Sequence, residues 1–172
     1  MKIDIVRVGY LSENCYILSI DDKCLVIDPG DDSNRIIESI GNKKVLGILI
    51  THHHFDHVGA VDDIKNKYNV IVYDINNLKE GINKIDEFTF KVIYNPGHTD
   101  DSISFYFEEE NVMFVGDFVF RDSIGRCDLG GSIPLMKQSI NKLKEYDKDI
   151  VLYPGHGEST TLNYEKENNP YF

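Results

Sequence analysis

The sequence is poor in cysteine, in basic residues and in long apolar runs. Its three cysteines are odd in number and none forms a C-x-x-C pair, which argues against a disulfide framework and favours a reducing, cytoplasmic compartment. With 18 basic against 29 acidic residues, the formal net charge of −11 argues against nucleic-acid binding and against an anionic membrane surface. No apolar run approaches the roughly 20 residues of a transmembrane helix. We therefore expect neither a nucleic acid nor a membrane as partner, and no pattern indicates an oligomeric state.

The length of 172 residues and the ordinary composition predict a single domain, 1–172, with a proper core. Short apolar or alternating runs bounded by turn residues indicate strands. They are 15–20, 24–28, 45–50, 70–73, 88–92, 103–107, 112–115 and 150–153. Because several strands come in pairs, the order favours an α/β chain with mixed sheets and outer helices over a single parallel sheet.

Helical spacing of apolar residues predicts the helices between these strands. One helix is expected to begin at Ser33 as N-cap and to stop at Gly41, and another to run from about His57 to Tyr68. A loop, 117–132, precedes a helix with Pro134 in its first turn, and 160–168 is also expected to be helical.

Five of the six histidines lie where metal ligands would have to be. The run 51–57 reads T-H-H-H-F-D-H, and three further donors follow in Pro96-Gly97-His98, Gly116-Asp117 and Pro154-Gly155-His156. Each group comes directly after a short apolar run, so the donors are expected to converge where strands end. Seven such side chains are enough for two adjacent metal sites: His52, His54, Asp56, His57, His98, Asp117 and His156.

The donor types favour zinc, with iron or manganese as alternatives, because imidazole nitrogen and carboxylate oxygen suit all three metals. His52 and His54 are two apart, so in an extended segment both side chains point to one side, whereas His53 points away and is expected to be exposed or supporting.

The whole pattern resembles the metallo-β-lactamase superfamily, and within it most closely the short glyoxalase II-like (hydroxyacylglutathione hydrolase-like) branch. The similarity rests on Asp28-Pro29-Gly30, the 52–57 run, Pro96-Gly97-His98-Thr99, Gly116-Asp117, Ser123-Ile124-Gly125-Arg126, 153–157 and Asn169-Pro170-Tyr171-Phe172. The resemblance implies an αββα sandwich, with two mixed β-sheets flanked by helices. It also implies a single-domain member without the C-terminal helical domain that grips glutathione in longer proteins.

By the same resemblance, a first ion would be held by His52, His54 and His98. A second would be held by Asp56, His57 and His156, with Asp117 bridging the two and Asp28 supporting them or merely ending a strand. The implied activity is hydrolysis of a small thioester, S-lactoylglutathione or a related acyl-thiol, by a hydroxide that bridges two divalent metal ions. Asp117 and Asp56 would be the catalytic carboxylates, with Asp56 orienting the hydroxide.

Several alternatives remain open at this level. An iron-dependent persulfide dioxygenase or a lactone hydrolase would use the same fold. A flavodiiron reductase fits less well, because His54 stands where that group has a glutamate. A nuclease is disfavoured by the net charge. A non-catalytic zinc module is disfavoured because structural zinc sites are closed by protein ligands, whereas this ligand set leaves open positions. Arg121, Arg126 and Lys137 are the nearest basic residues to the site, and for each an ion pair or a solvated charge is the favoured reading. Phe118 and Tyr153 are expected to pack in the core.

Overall fold

The structure is a computed structural model that describes residues 1–172, and its centre is formed by two β-sheets. The first sheet has five strands in chain order, and its first two pairings are antiparallel and its last two parallel. They are β1 (Lys2–Val8), β2 (Glu13–Ile20), β3 (Lys23–Ile27), β4 (Lys44–Leu49) and β5 (Val72–Tyr73). The sheet is therefore mixed, as the paired strands of the sequence indicated.

The second sheet has six strands, and only its β12–β9 pairing is parallel. Its members are β6 (Gly81–Ile85), β7 (Phe88–Tyr94), β8 (Ile103–Phe107), β9 (Val112–Gly116), β12 (Val151–Pro154) and β13 (Thr160–Thr161), in the order β13-β12-β9-β8-β7-β6. A separate two-stranded ribbon of β10 (Val119–Phe120) and β11 (Ser123–Ile124) follows β9 in the chain.

Alternation along the strands fixes how the layers stack. In β2, Tyr16 and Leu18 face the second sheet and join the aromatic side chains of its strands, such as Phe105 and Phe114. Their neighbours Cys15 and Ile17 face the opposite way. Because strand side chains alternate between faces, one continuously apolar strand can serve two cores.

Helices cover the two outer faces. The outer core of the first sheet includes residues of α1 (Ser33–Ile40) and α3 (Val61–Tyr68), among them Ile36 and Ile64. The outer core of the second sheet includes Met136 and Ile140 of α4 (Ile133–Lys144) and Leu162 of α5 (Leu162–Asn168). The layers therefore run helix, sheet, sheet, helix, which confirms the expected αββα sandwich. No helix has the length and the apolar composition needed to cross a membrane.

Two details of the helices differ from the sequence prediction. The first helix is preceded by Asp32 in a left-handed conformation (φ 48°) and begins at Ser33, so Ser33 is not the N-cap. The Asp32 carboxylate accepts a hydrogen bond from the amide of Gly9 instead of capping the helix. The predicted helix from His57 to Tyr68 is split into α2 (Phe55–Val58) and α3, because the amide of Ala60 bonds to the carbonyl of Pro29.

Some short strands were not predicted. β6 is an edge strand whose isoleucines, Ile82 and Ile85, are three residues apart, so only Ile85 is buried. Its sequence therefore lacks the apolar–polar alternation that marks a half-buried strand. The β10–β11 ribbon lies inside 117–132, which was predicted as a loop, and its two-residue strands are too short to show any period.

Candidate metal centre

All seven donor residues predicted from the sequence meet at one edge of the sandwich. They follow the ends of β4, β7, β9 and β12, where open sheets of this kind place their functional loops. His52, His57 and His98 are buried, whereas the other four remain in contact with solvent. Strands from both sheets therefore supply the site, which no single local segment could form.

The donor atoms form two groups. One ligand atom each of His52, His54 and His98 lie within 4.8 Å of one another, and the same holds for Asp56, His57 and His156. In the first group His54 Nδ1 is 2.8 Å from His98 Nε2, and in the second His156 Nε2 is 3.2 Å from Asp56 Oδ2.

Asp117 lies between the two groups. Its Oδ1 is 3.3 Å from His57 Nε2, and its Oδ2 is 3.6 Å from His98 Nε2 and 3.7 Å from His156 Nε2. One carboxylate thus faces histidines of both groups, with a different oxygen toward each of the two buried rings. This is the geometry required of a group that bridges two ions.

Each of the five histidines uses its remaining ring nitrogen in a separate contact. The partners are the Thr51 hydroxyl for His52 (3.1 Å), the Leu129 carbonyl for His54 (3.4 Å), the Asp28 carboxylate for His57 (3.0 Å), the Arg126 carbonyl for His98 (2.7 Å) and the Leu11 carbonyl for His156 (3.2 Å). An acceptor at one nitrogen holds the proton there and leaves the other nitrogen free to bind a metal. In each of the five imidazoles, the nitrogen that faces the other donor residues is therefore the one available to a metal.

Asp28 is the most connected of these supports. It is buried, it accepts hydrogen bonds from the amide and the hydroxyl of Thr51 at 2.8 and 2.6 Å, and it contacts His57 Nδ1. Since the Thr51 hydroxyl donates to Asp28, its lone pair is left to accept from His52 Nδ1. One carboxylate thus orients a histidine in each group, which decides between the two roles left open by the sequence.

Several buried polar atoms of the site lack a hydrogen-bond partner, and their positions fit a metal. His52 Nε2, His57 Nε2 and Asp117 Oδ1 are buried and make no hydrogen bond. Buried polar atoms are almost always paired, so three orphans facing one space indicate a ligand at that position.

The pKa directions of the buried groups agree. Burial and the neighbouring histidines lower the pKa of His52 well below its ordinary value, which keeps this ring neutral, as a metal ligand must be. Burial also acts to lower the pKa of His57, but contacts with Asp117 and Asp28 outweigh it and raise that pKa well above its ordinary value. The Asp117 carboxyl has a lowered pKa because His57 outweighs its burial. Metal binding at His57 would displace a proton from this ring, because only the neutral imidazole binds a metal.

Residues 8–80 and 71–156 match the family model described as the metallo-beta-lactamase superfamily. The chain belongs to this superfamily.

This superfamily member aligns with several relatives over nearly their whole length. It is 32% identical to hydroxyacylglutathione hydrolase GloC of Haemophilus influenzae, with 99% of this chain and 98% of that protein aligned. The crystal structure of the B3 metallo-beta-lactamase BLEG-1 superposes with a TM-score of 0.95 at 32% identity, covering 99% of both chains. The crystal structure of TTHA1623 in a di-iron-bound form superposes with a TM-score of 0.89 at 30% identity, covering 98% of this chain and 100% of that one.

Two polar residues of this superfamily member were missed by the sequence analysis. Asn14 binds the loop that carries His156: its amide donates to the Gly155 carbonyl (2.7 Å), and its side chain donates to the carbonyls of Pro154 and Gly157. Glu13 is buried with neither carboxylate oxygen hydrogen-bonded, 3.7 Å from His57 Nδ1. Burial raises the pKa of Glu13 to about 10. The only signal in the sequence was a polar pair opening an otherwise apolar strand.

Residue 155, in Pro154-Gly155-His156, must be glycine because a side chain there would collide with the donor residues. A Cβ at Gly155 would come within 2.3 Å of Asp117 Oδ1 and 2.5 Å of His57 Cε1. Any side chain there would push apart the two residues that link the donor groups.

An open cavity of about 780 Å³ lies in front of the donors. It is lined by Leu11, His54, Phe55, Asp56, His98, Asp117, Phe120, Ser123, Ile124, Arg126, Leu129 and His156. Five of these are donor residues, so a molecule in the cavity can reach the metal positions directly.

The remaining sequence predictions fall outside the donor set. The His53 ring points away from the donors toward Asp101 (2.5 Å) and Asp74 (3.2 Å). Arg121 stacks over the Tyr164 ring at 4.8 Å, and neither it nor Lys137 lines the cavity. Phe118 and Tyr153 pack with apolar clusters, as expected.

Proposed function

We propose that the chain is a dinuclear metal-dependent hydrolase of small thioesters. The observation that carries the proposal is the pair of donor groups with Asp117 between them, each imidazole held by a separate contact at its other ring nitrogen. The first ion is assigned to His52, His54 and His98, and the second to Asp56, His57 and His156. Zinc and iron both suit these donors, and the di-iron form of TTHA1623 supports iron.

The bound ions would supply Lewis acidity, which lowers the pKa of a water molecule toward neutrality and polarises a carbonyl group. The protein contributes position and proton handling. Asp117 keeps the two donor groups in register, and Asp56, whose Oδ2 lies at the cavity wall beside His156, is placed to accept and orient the proton of a water molecule there.

The leaving group favours a thioester over an amide. A thiolate leaves without prior protonation, whereas an amine must first receive a proton. The three histidines of the cavity wall, His54, His98 and His156, are all assigned to donor positions, and the wall contains no further histidine. A hydroxyacylglutathione is itself a thioester, so the name of the GloC relative supports this class.

The test is the hydrolysis of S-lactoylglutathione and of an uncharged thioester by purified protein whose metal content has been measured. We expect turnover of at least one thioester with about two divalent ions per chain, loss of turnover after chelation, and recovery when metal is restored. Asp117→Asn should fail to recover. Oxygen consumption with a persulfide and about one iron per chain would instead favour the dioxygenase, and opening of a lactone without thioester turnover would favour the lactonase.

A second candidate is hydrolysis of a β-lactam. It is favoured by one observation, the TM-score of 0.95 and 32% identity with the B3 metallo-beta-lactamase BLEG-1. A chromogenic cephalosporin assayed on the same metal-loaded samples separates the two. We place it second because its amine leaving group needs a proton donor.

A further inference from the structure

Beside the donor residues, the cavity has an apolar wall. It consists of Leu11, Phe55, Phe120, Ile124 and Leu129, and three of these are well exposed: Leu11 at 43%, Phe55 at 62% and Leu129 at 55%. Large apolar side chains that converge on one concave surface while remaining exposed to water are typical of a binding site.

These apolar side chains are tied to the donor residues. The Leu11 carbonyl accepts from His156, the Leu129 carbonyl accepts from His54, and Phe55 directly follows His54 in the chain. The backbone contacts that orient the imidazoles therefore also hold apolar side chains at the rim of the metal centre. A substrate whose carbonyl lies at the donors would have its flanking groups against them.

The cavity has one basic side chain, and its charge is already neutralised. Arg126 makes two hydrogen bonds to Asp128, from Nε and from an Nη, both at 2.6 Å. Such a two-pronged pair satisfies the guanidinium fork that would otherwise grip a substrate carboxylate. An anionic arm of a substrate would have to compete with Asp128 for this group.

The apolar surface continues past Phe55. A neighbouring cavity of about 300 Å³ shares Leu11 and Phe55 with the first and adds Val8 and Tyr10. The Tyr10 ring stacks on Phe55, with centroids 6.5 Å apart and planes at 19°. The acidic side chains of this second cavity are Asp31 and Asp56, which would repel an anionic arm and leave an apolar one unopposed.

We infer that the preferred substrates are thioesters with an apolar acyl group and an uncharged thiol arm, and that a thiol with two carboxylates, such as glutathione, is a poor fit. This inference rests on the proposed function, because it names the substrate class of the same site. The groups on either side of the scissile bond lie against the apolar wall, one of them along the Leu11–Phe55 surface.

The test separates the acyl group from the thiol. Four thioesters combine a hexanoyl or a lactoyl group with N-acetylcysteamine, which is uncharged, or with glutathione. On metal-loaded protein we expect the highest kcat/KM for S-hexanoyl-N-acetylcysteamine and the lowest for S-lactoylglutathione, with each of the two changes lowering it.

Two variants probe the wall. Phe55→Ala should lower kcat/KM for the hexanoyl thioester by about tenfold, mainly through KM. Burial of a phenyl group against the substrate strengthens binding by about tenfold or more. Asp128→Asn frees Arg126 and should raise kcat/KM for the glutathione thioesters by up to roughly fivefold, the scale of an exposed ion pair, while leaving the N-acetylcysteamine thioesters unchanged. Ile82→Ala, a 76% exposed residue in neither cavity, is the matched control for Phe55.

The outcomes distinguish the inference from the function. A higher kcat/KM for S-lactoylglutathione than for the uncharged hexanoyl thioester, or an Asp128→Asn variant indifferent to thiol charge, would overturn the inference and leave the hydrolase standing. No turnover of any of the four thioesters by metal-loaded protein would overturn both.

Discussion

Asp28→Asn is the substitution that tests the orientation of the metal ligands most sharply. Asparagine keeps the shape of the side chain, and it tolerates the left-handed backbone of residue 28 (φ 47°), so the fold should persist. The change replaces one oxygen by an NH₂ donor. If that group takes the place of Oδ2, it meets the His57 Nδ1 proton donor to donor, and this proton then moves to Nε2, the nitrogen that faces Asp117.

The same change reaches the other donor group. An NH₂ group that donates to the Thr51 hydroxyl leaves that hydroxyl to donate toward His52 Nδ1, which shifts the His52 proton to its buried Nε2. Loss of a support beneath a ligand typically lowers metal affinity by about 10–100-fold. At 1.36 kcal/mol per factor of ten, this corresponds to about 1.4–2.7 kcal/mol. Since both groups are disturbed, we expect the upper part of this range.

The assay is competition with a chromogenic chelator for zinc, with circular dichroism of the metal-free proteins as the check on folding. Asp74→Asn is the matched control, because Asp74 makes the same kind of contact with His53, which lies outside the donor set. We expect the control to bind zinc like the parent. A folded Asp28→Asn protein whose zinc affinity stays within twofold of the parent would refute the reasoning.

Three further predictions concern metal, pH and the core. Asp117→Ala should bind fewer than two ions per chain and should lose most of the rise in melting temperature that zinc gives the parent; an unchanged rise would contradict its place between the groups. In excess chelator, the parent should lose unfolding free energy relative to Glu13→Gln as pH rises from 5 to 9. The reason is that the Glu13 carboxyl keeps its proton to about pH 10 in the folded state but ionises near 4.5 in the unfolded state. Parallel curves of unfolding free energy against pH, measured in urea, would count against this prediction. Phe105→Ala, at a fully buried position between the sheets, should cost about 3–5 kcal/mol of unfolding free energy, against less than about 0.5 for the exposed Ile82→Ala.

The candidate donors could be predicted to lie together because their residue types are few and each follows a short apolar run. His52 and His54 share one face of an extended segment, and His98, Asp117 and His156 each follow an apolar run that became a strand. Local pattern could identify these positions, and the resemblance to a known superfamily supplied the layers. Periodicity alone indicated elements without their order in the sheets.

The supports of the site could not be predicted in the same way. Histidine tautomers depend on the carbonyls of Leu11, Arg126 and Leu129, which carry no side-chain signal in a sequence. Glu13 and Asn14 become parts of the site only when β2 lies beside the loop after β12, more than 130 residues away in the chain. Long-range contacts through backbone atoms are invisible to residue patterns.

The most direct measurement combines metal content and thioester hydrolysis on one sample of purified protein. We expect about two divalent ions per chain and turnover of an acyl-thioester that depends on those ions. In Asp117→Ala we expect fewer than two ions per chain and no turnover. A protein that holds two ions yet hydrolyses neither charged nor uncharged thioesters, or one that hydrolyses them at full rate after the ions are removed, would contradict the proposed function.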